Sequence, residues 1–133
     1  MKLFCCQCNA DIEARLTDGM ETYPHRKDLY TLPFWKCDIC NNFVGCHHKT
    51  DEPTTPLGCI PSKEVKELRK KIHATLDPLW MEGKHSRKYI YARLSEVIGR
   101  EYHTADIRNA VEANAVMDKL KYLATKTNKS VSM

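Results

Sequence analysis

Two Cys-x-x-Cys pairs, Cys5 with Cys8 and Cys37 with Cys40, stand 28 residues apart in a chain of 133. A turn of this spacing brings two thiolates close enough to share one ion. Zn²⁺ takes four sulfur or imidazole ligands in a tetrahedron, at about 2.3 Å from each sulfur. The expectation is one zinc ion bound by Cys5, Cys8, Cys37 and Cys40. Cys6 is an alternative to Cys5, but Cys6-x-Cys8 is shorter than the usual knuckle. Asn9, Asn41 and Asn42 follow the two pairs, where a knuckle often needs a left-handed backbone that Asn tolerates better than most residues. A ribbon this small has little core of its own, and a structural zinc contributes about 10–16 kcal/mol in small zinc peptides. A closed four-thiolate shell has no open position for water, so the metal is expected to be structural rather than catalytic.

All seven cysteines lie between residues 5 and 59. An odd count cannot pair completely within one chain. No apolar run near the start is long enough for a secretory signal, and none elsewhere approaches the roughly 20 residues that span a bilayer. A reducing cytoplasm, with no membrane partner, is the compartment these features imply, and metal binding accounts for clustered thiols there. Charge divides along the same line. Residues 1–61 carry 6 Lys and Arg against 8 Asp and Glu, whereas residues 62–133 carry 15 against 9, a formal +6.

Between the cysteine pairs, Ala10 to Leu16 alternate as in a half-buried strand. Asp18-Gly19 signals a tight turn, with Met20 to Tyr23 returning as a second strand. Leu29 to Lys36 suits a third, with Pro33 placing it at an edge or breaking it there. Residues 1–48 thus read as a zinc-ribbon-like subdomain. Residues 49–61, aperiodic and holding Pro53, Pro56 and Pro61, read as a connector. Residues 62–125 read as helical. Ser62 caps a first helix with Val65, Leu68, Ile72 and Leu76 inward, interrupted at Asp77-Pro78. Ser86 caps a second with Ile90, Leu94, Val97 and Ile98 inward, ended by Gly99. Thr104 caps a third with Ile107, Val111, Ala115, Leu120 and Leu123 inward. Trp80 reads as a core anchor, and residues 126–133 as a flexible tail. The fold class expected is α+β, a small N-terminal zinc-ribbon-like antiparallel sheet packed with a C-terminal three-helix unit.

Cys46, His47 and His48, with Cys59 and His25 as further candidates, form a second set of metal-ligand residue types. Adjacent residues point to different faces of an extended chain, which weighs against chelation of one ion. A small hydrolase using Cys46, His47 or His48 would also need an orienting carboxylate and an oxyanion donor, and no motif supplies either. The helical half carries Lys63, Lys66, Lys70 and His73 at helical steps with Arg69 and Lys71 flanking, then Arg87, Lys88 and Arg93, with Tyr89 and Tyr91 beside them. Such a face can track phosphates and stack bases. The alternative is a solvated face balanced by Glu64 and Glu67. Tyr91 to Met117 also has the outline of a helix-turn-helix, with Arg108, Asn109 and Glu112 as base-facing candidates.

Several motifs in order, Cys5-x-x-Cys8, Phe34-Trp35-x-Cys37-x-x-Cys40, Val44-Gly45-Cys46-His47, Pro56-Leu57-Gly58, Leu68-Arg69 to His73, Asp77-Pro78-Leu79-Trp80, and Arg87 with Tyr91 and Leu94, resemble a zinc-finger-containing domain family of bacteria and phages. The resemblance covers residues 5 to about 103. It implies a zinc-ribbon-like unit followed by helices in a bacterial or phage-infected cell, and it implies no activity. The functional expectation is a structural-zinc accessory protein binding nucleic acid through its basic helical half. The alternative is a phage or mobile-element regulator acting on a protein partner. Oligomeric state is not legible.

Overall fold

The structure, a computed structural model, describes residues 1–126. The expected tail therefore falls outside the described residues except for Lys126. The chain has small antiparallel sheets first and helices after, an α+β arrangement. It divides into two compact units, Met1–Lys63 and a second that begins at Glu64.

In the first unit β1 (Lys2–Cys5) pairs antiparallel with β2 (Ala10–Glu13), placing Cys5 opposite Ala10. A separate three-stranded sheet has the order β3 (Arg15–Asp18), β4 (Pro33–Lys36), β5 (Phe43–Gly45). The strand expected over Ala10 to Leu16 is thus two strands in two sheets. They part at Ala14, which is buried and donates its N–H to the Met1 carbonyl at 2.8 Å. β4 is the central strand and not an edge. Pro33 is its first residue, where a missing N–H costs no ladder bond.

Met20 to Tyr23 does not return as a strand. Asp18 Oδ1 accepts the N–H groups of Met20 (3.0 Å) and Glu21 (3.2 Å), capping a one-turn helix α1 (Gly19–Thr22). Gly19 is obligatory there, because a Cβ would lie 1.7 Å from the Leu29 carbonyl oxygen. Tyr23, Phe34 and Phe43 pack edge to face, with centroids 5.2–5.7 Å apart.

Residues 49–61, expected to be a connector, are tied into this unit. Trp35 Nε1 donates to Thr54 O at 2.7 Å, Leu57 N to Gly45 O at 2.9 Å, and Ile60 N to Phe4 O at 2.9 Å. The prolines break periodicity without loosening the chain, because backbone groups around them are recruited by strands already formed.

In the second unit α2 (Lys63–Met81) begins immediately after Ser62 and buries Val65, Ile72, Leu76 and Leu79. It runs through Pro78 instead of ending before it. Proline disfavours helix at Asp77, but the buried Leu79 draws one more turn inward, and the Glu82 N–H closes onto the Pro78 carbonyl at 2.9 Å. Trp80 is not a core residue; it is 36% exposed. The helix α3 (Arg87–Ile98) is capped by Ser86 Oγ, which accepts from Tyr89 N at 3.0 Å. It ends on Gly99 at φ 74°, the left-handed C-cap expected. Ile90 and Leu94 are buried, whereas Val97 is exposed.

The third helix starts later than expected. Thr104–Asp106 is a 3₁₀ turn in which the Thr104 hydroxyl meets the buried Tyr102 hydroxyl at 2.7 Å. The cap of α4 (Ala110–Ala124) is Asn109, whose Oδ1 accepts from Glu112 N at 2.9 Å. Leu120 and Leu123 are inward as expected, but the earlier turns bury Ala113 and Val116 in place of Ala115 and Val111, the latter 79% exposed. The buried His85 joins the α2–α3 turn to α4 through Nε2, 2.9 Å from the Leu123 carbonyl.

Candidate metal centre

The sulfurs of Cys5, Cys8, Cys37 and Cys40 come together in the first unit, all within 4.8 Å of one another. Cys5 ends β1, and Cys37 directly follows β4. Each strand therefore delivers the first sulfur of a turn, and the turn delivers the second. Cys5 Sγ is 3.4 Å from Cys40 Sγ, and Cys8 Sγ is 3.8 Å from Cys37 Sγ. A tetrahedral shell with metal–sulfur bonds of about 2.3 Å has sulfur–sulfur edges of about 3.8 Å. The set has the size and chemistry of a four-thiolate zinc site.

The backbone around the sulfurs is built for the knuckles. Asn9 (φ 54°) and Asn41 (φ 67°) are the positive-φ non-glycine residues of the described chain, one after each pair. Asn41 N donates to Cys37 O and Cys37 N to Asn42 O, both at 2.8 Å. Asn42 is not left-handed. Its side chain instead places Nδ2 3.2 Å from Cys40 Sγ, donating toward a sulfur that carries charge once metallated.

Burial pushes the Cys5 thiol up to about 12, and Cys8 is raised by the same cause. At Cys37 burial acts in the same sense, but hydrogen bonds from the Cys40 and Ile39 backbone outweigh it and hold the thiol below its ordinary value. Several thiolates this close repel one another, and a divalent cation offsets that repulsion while displacing the protons. Cys5 and Cys37, both fully inaccessible, are also members of the core that includes Ala14, Val44 and Ile60. The metal site and the hydrophobic core of the unit are one object.

Among the described residues, the four cysteines are the one group of three or more His, Cys, Asp or Glu whose ligand atoms converge. Cys46, His47 and His48 do not assemble into a second such site. Cys46 is buried where it bridges Pro56, and burial raises its thiol. His47 is exposed, and His48 Nδ1 sits 3.3 Å from the Cys46 carbonyl oxygen. Cys46 and His48 border a small cavity of about 180 Å³ with Leu32, Phe34 and Leu57.

The basic residues fall in the second unit. Lys66, Lys70, Arg87 and Lys88 are exposed. Arg69 is half-buried, and its Nη2 donates to the Ile107 carbonyl at 2.7 Å, fastening α2 to the segment before α4. Of the helix-turn-helix candidates, Asn109 is the cap of α4. Glu112 accepts both Arg100 (2.8 Å) and Arg108 N (2.8 Å). Two of the three side chains thus hold the fold. Sequence reasoning missed two juxtapositions. Arg87 lies over the Tyr91 ring at 4.5 Å and 5.9 Å from the Trp80 ring, and Cys6 Sγ approaches Cys59 Sγ to 3.8 Å. The first had a signal in the i, i+4 spacing of Arg87 and Tyr91; the second had none.

Neither a curated protein nor a solved structure matches the chain. Residues 2–123 match the profile of a zinc-finger-containing domain, and it is to this family that the chain, with its four converging cysteines, belongs.

Proposed function

We propose that this is an accessory protein in which a structural zinc holds the N-terminal unit and the basic helical unit binds nucleic acid. The observation that carries the reading is a cationic stripe that ends on an exposed aromatic. Lys66, Lys70, His73 and Trp80 follow one another at helical steps along one side of α2. Arg87 continues from Trp80, 5.9 Å from its ring, and lies 4.5 Å over Tyr91 with a 3.1 Å hydrogen bond to the Tyr91 hydroxyl. Lysines supply phosphate contacts, and an indole with a guanidinium beside it supplies a stacking surface for an unpaired base. Two acids touch the stripe: Asp77 faces His73 at 3.6 Å and accepts from Trp80 Nε1 at 3.3 Å, and Glu67 pairs with Lys70 at 3.3 Å where both are solvated. The +6 formal charge of residues 62–133 favours an anionic partner.

Zinc-loaded protein is titrated into labelled single-stranded and duplex DNA and RNA over a salt series, with anisotropy as the readout. Binding should weaken linearly in log salt. The double substitution Lys70→Glu, Lys88→Glu should weaken binding across sequences and reduce the slope by about 1 for each phosphate no longer neutralised. Absence of binding to every one of these at low salt refutes the reading.

A further inference from the structure

Two further sulfurs of the first unit, outside the zinc shell, face each other. Cys6 Sγ and Cys59 Sγ are 3.8 Å apart. The backbone fixes this approach. Cys5 and Ile60 form a parallel bridge, in which Cys6 N donates to Ile60 O at 2.9 Å and Ile60 N to Phe4 O at 2.9 Å. Cys5 and Ile60 both enter the core that holds the metal ligands, and their neighbours Cys6, in the turn after β1, and Cys59, in the bend before Ile60, bring their sulfurs together beside the bridge. Cys6 is half-buried and Cys59 buried behind it.

We propose that Cys6 and Cys59 form a redox modification site, closing into a disulfide when the zinc-loaded protein meets a hydroperoxide. The Cys6 sulfur attacks the distal peroxide oxygen, the O–O bond breaks, and Cys6 becomes a sulfenic acid as water or an alcohol leaves. The Cys59 sulfur then attacks Cys6 Sγ and the S–O bond breaks. The hydroxyl leaves as water with the Cys59 proton, so two thiols and one peroxide give one disulfide. The sulfurs must close from 3.8 Å to about 2.05 Å, a movement that side-chain rotation supplies while the bridge holds the backbone. The other thiols are less suited. Zinc engages the four ligand sulfurs, and Cys46 is buried at its bridge to Pro56. Cys6 is thus the accessible sulfur with a second sulfur waiting behind it.

Zinc-loaded full-length protein is treated with stoichiometric hydrogen peroxide, alkylated, and mapped by non-reducing peptide mass spectrometry. Bound zinc is measured on the same samples. The expected result is a cross-linked peptide pair joining Cys6 to Cys59, with loss of two hydrogens, unchanged zinc content and full reversal by dithiothreitol. In Cys59→Ser the cross-link disappears and Cys6 accumulates as a sulfenic acid trapped by dimedone. Cys59→Ala serves if the serine variant fails to retain zinc. The proposal is overturned if cross-links appear first among the ligand cysteines with zinc release. It is also overturned if Cys6 and Cys59 remain fully alkylatable, or if dimedone labels Cys6 equally in the parent and the Cys59 variant.

Discussion

Removing the zinc should unfold the first unit and leave the helices standing. Ten residues make up the core around the metal, Cys5, Ala14, Cys37, Val44 and Ile60 with Leu3, Cys8, Ile12, Trp35 and Cys40 packed against them, and four of these ten are the ligands themselves. The large apolar side chains that are buried in the unit are Val44, Ile60 and, in the aromatic cluster, Phe34. At about 1.5–3 kcal/mol each they contribute about 5–9 kcal/mol, against about 10–16 kcal/mol from a structural zinc. The metal therefore stabilises the unit more than these side chains do. The second unit differs. Ile72, Leu76, Leu79, Ile90, Leu94, Tyr102, Ile107, Val116, Leu120 and Leu123 are all buried there, and no zinc ligand is among them. Excess chelator, or Cys40→Ser, should therefore abolish amide protection across β1–β5 while the far-ultraviolet dichroism of α2–α4 persists. Hydrogen exchange read by mass spectrometry reports the first and the dichroism spectrum the second. Two amides are diagnostic, Cys37 N bonded to Asn42 O and Ile60 N bonded to Phe4 O. If they stay protected once the metal is gone, the reasoning fails.

At the second knuckle, Asn41→Val forces a β-branched residue to φ 67° and should cost about 1–2 kcal/mol, while Asn41→Gly should be nearly neutral; competition with a chromophoric zinc chelator would read the first as about tenfold weaker retention. Ser86→Ala and Asn109→Ala each remove a helix cap and should destabilise the helical unit by about 1 kcal/mol, seen as a drop of a few degrees in its thermal midpoint. Glu112 should give the helical unit an acid-sensitive component. Burial opposes its ionisation, but the Arg100 guanidinium and the Arg108 N–H more than compensate and hold its carboxyl below the ordinary range. Its contribution is therefore present above the unfolded value of about 4.3 and is lost as pH falls through the lower folded value. Thermal melts at successive pH values should show a shallower acid decline in Glu112→Gln, and identical slopes would contradict the assignment.

The zinc shell is legible in the sequence because its ligand spacing is a property of short turns. Cys-x-x-Cys brings two sulfurs together wherever it folds, and Asn9 and Asn41 mark the left-handed residues that close the turns. The partition into a sheet-bearing first half and a helical second half is legible for a similar reason, since apolar periodicity is local. Expectation and structure part where a local signal has two meanings. Asp18-Gly19 reads equally as a hairpin turn and as a helix cap followed by a close backbone approach, and the choice is made by Leu29, whose carbonyl leaves no room for a Cβ at Gly19. Thr104 and Asn109 are both competent caps. Tyr102 settles between them by engaging the Thr104 hydroxyl. The meeting of Cys6 with Cys59 depends on a parallel bridge between segments more than fifty residues apart, and no periodicity in either segment encodes it.

Formal charge is a poor guide to a binding face once the structure has assigned its cations. Arg69 reads from sequence as a member of the phosphate-tracking row, yet its guanidinium donates to the Ile107 carbonyl. Arg100 is held by Glu112 at 2.8 Å and Arg93 by Glu96 at 2.7 Å. Arg69 and Arg100 fasten separate segments of the helical unit, Arg93 pairs within α3, and each would give up a native partner by turning toward a phosphate. Lysines behave differently, because a solvated ammonium on a flexible stem exchanges partners at little cost. Lys70, paired with Glu67 at 3.3 Å where both side chains are two-thirds exposed, is such a group. Arg87 is intermediate. It is committed to Tyr91 and Trp80, but through ring faces and one hydroxyl at the surface, so a base sliding onto Trp80 would leave the guanidinium seated over Tyr91. The proposed interface therefore rests on a few lysines and one aromatic-backed arginine rather than on the +6 total. The consequence is specific: neutralising Arg69 should lower the thermal midpoint of the helical unit, whereas neutralising Lys70 or Arg87 should weaken nucleic-acid binding in the anisotropy titration and leave that midpoint in place.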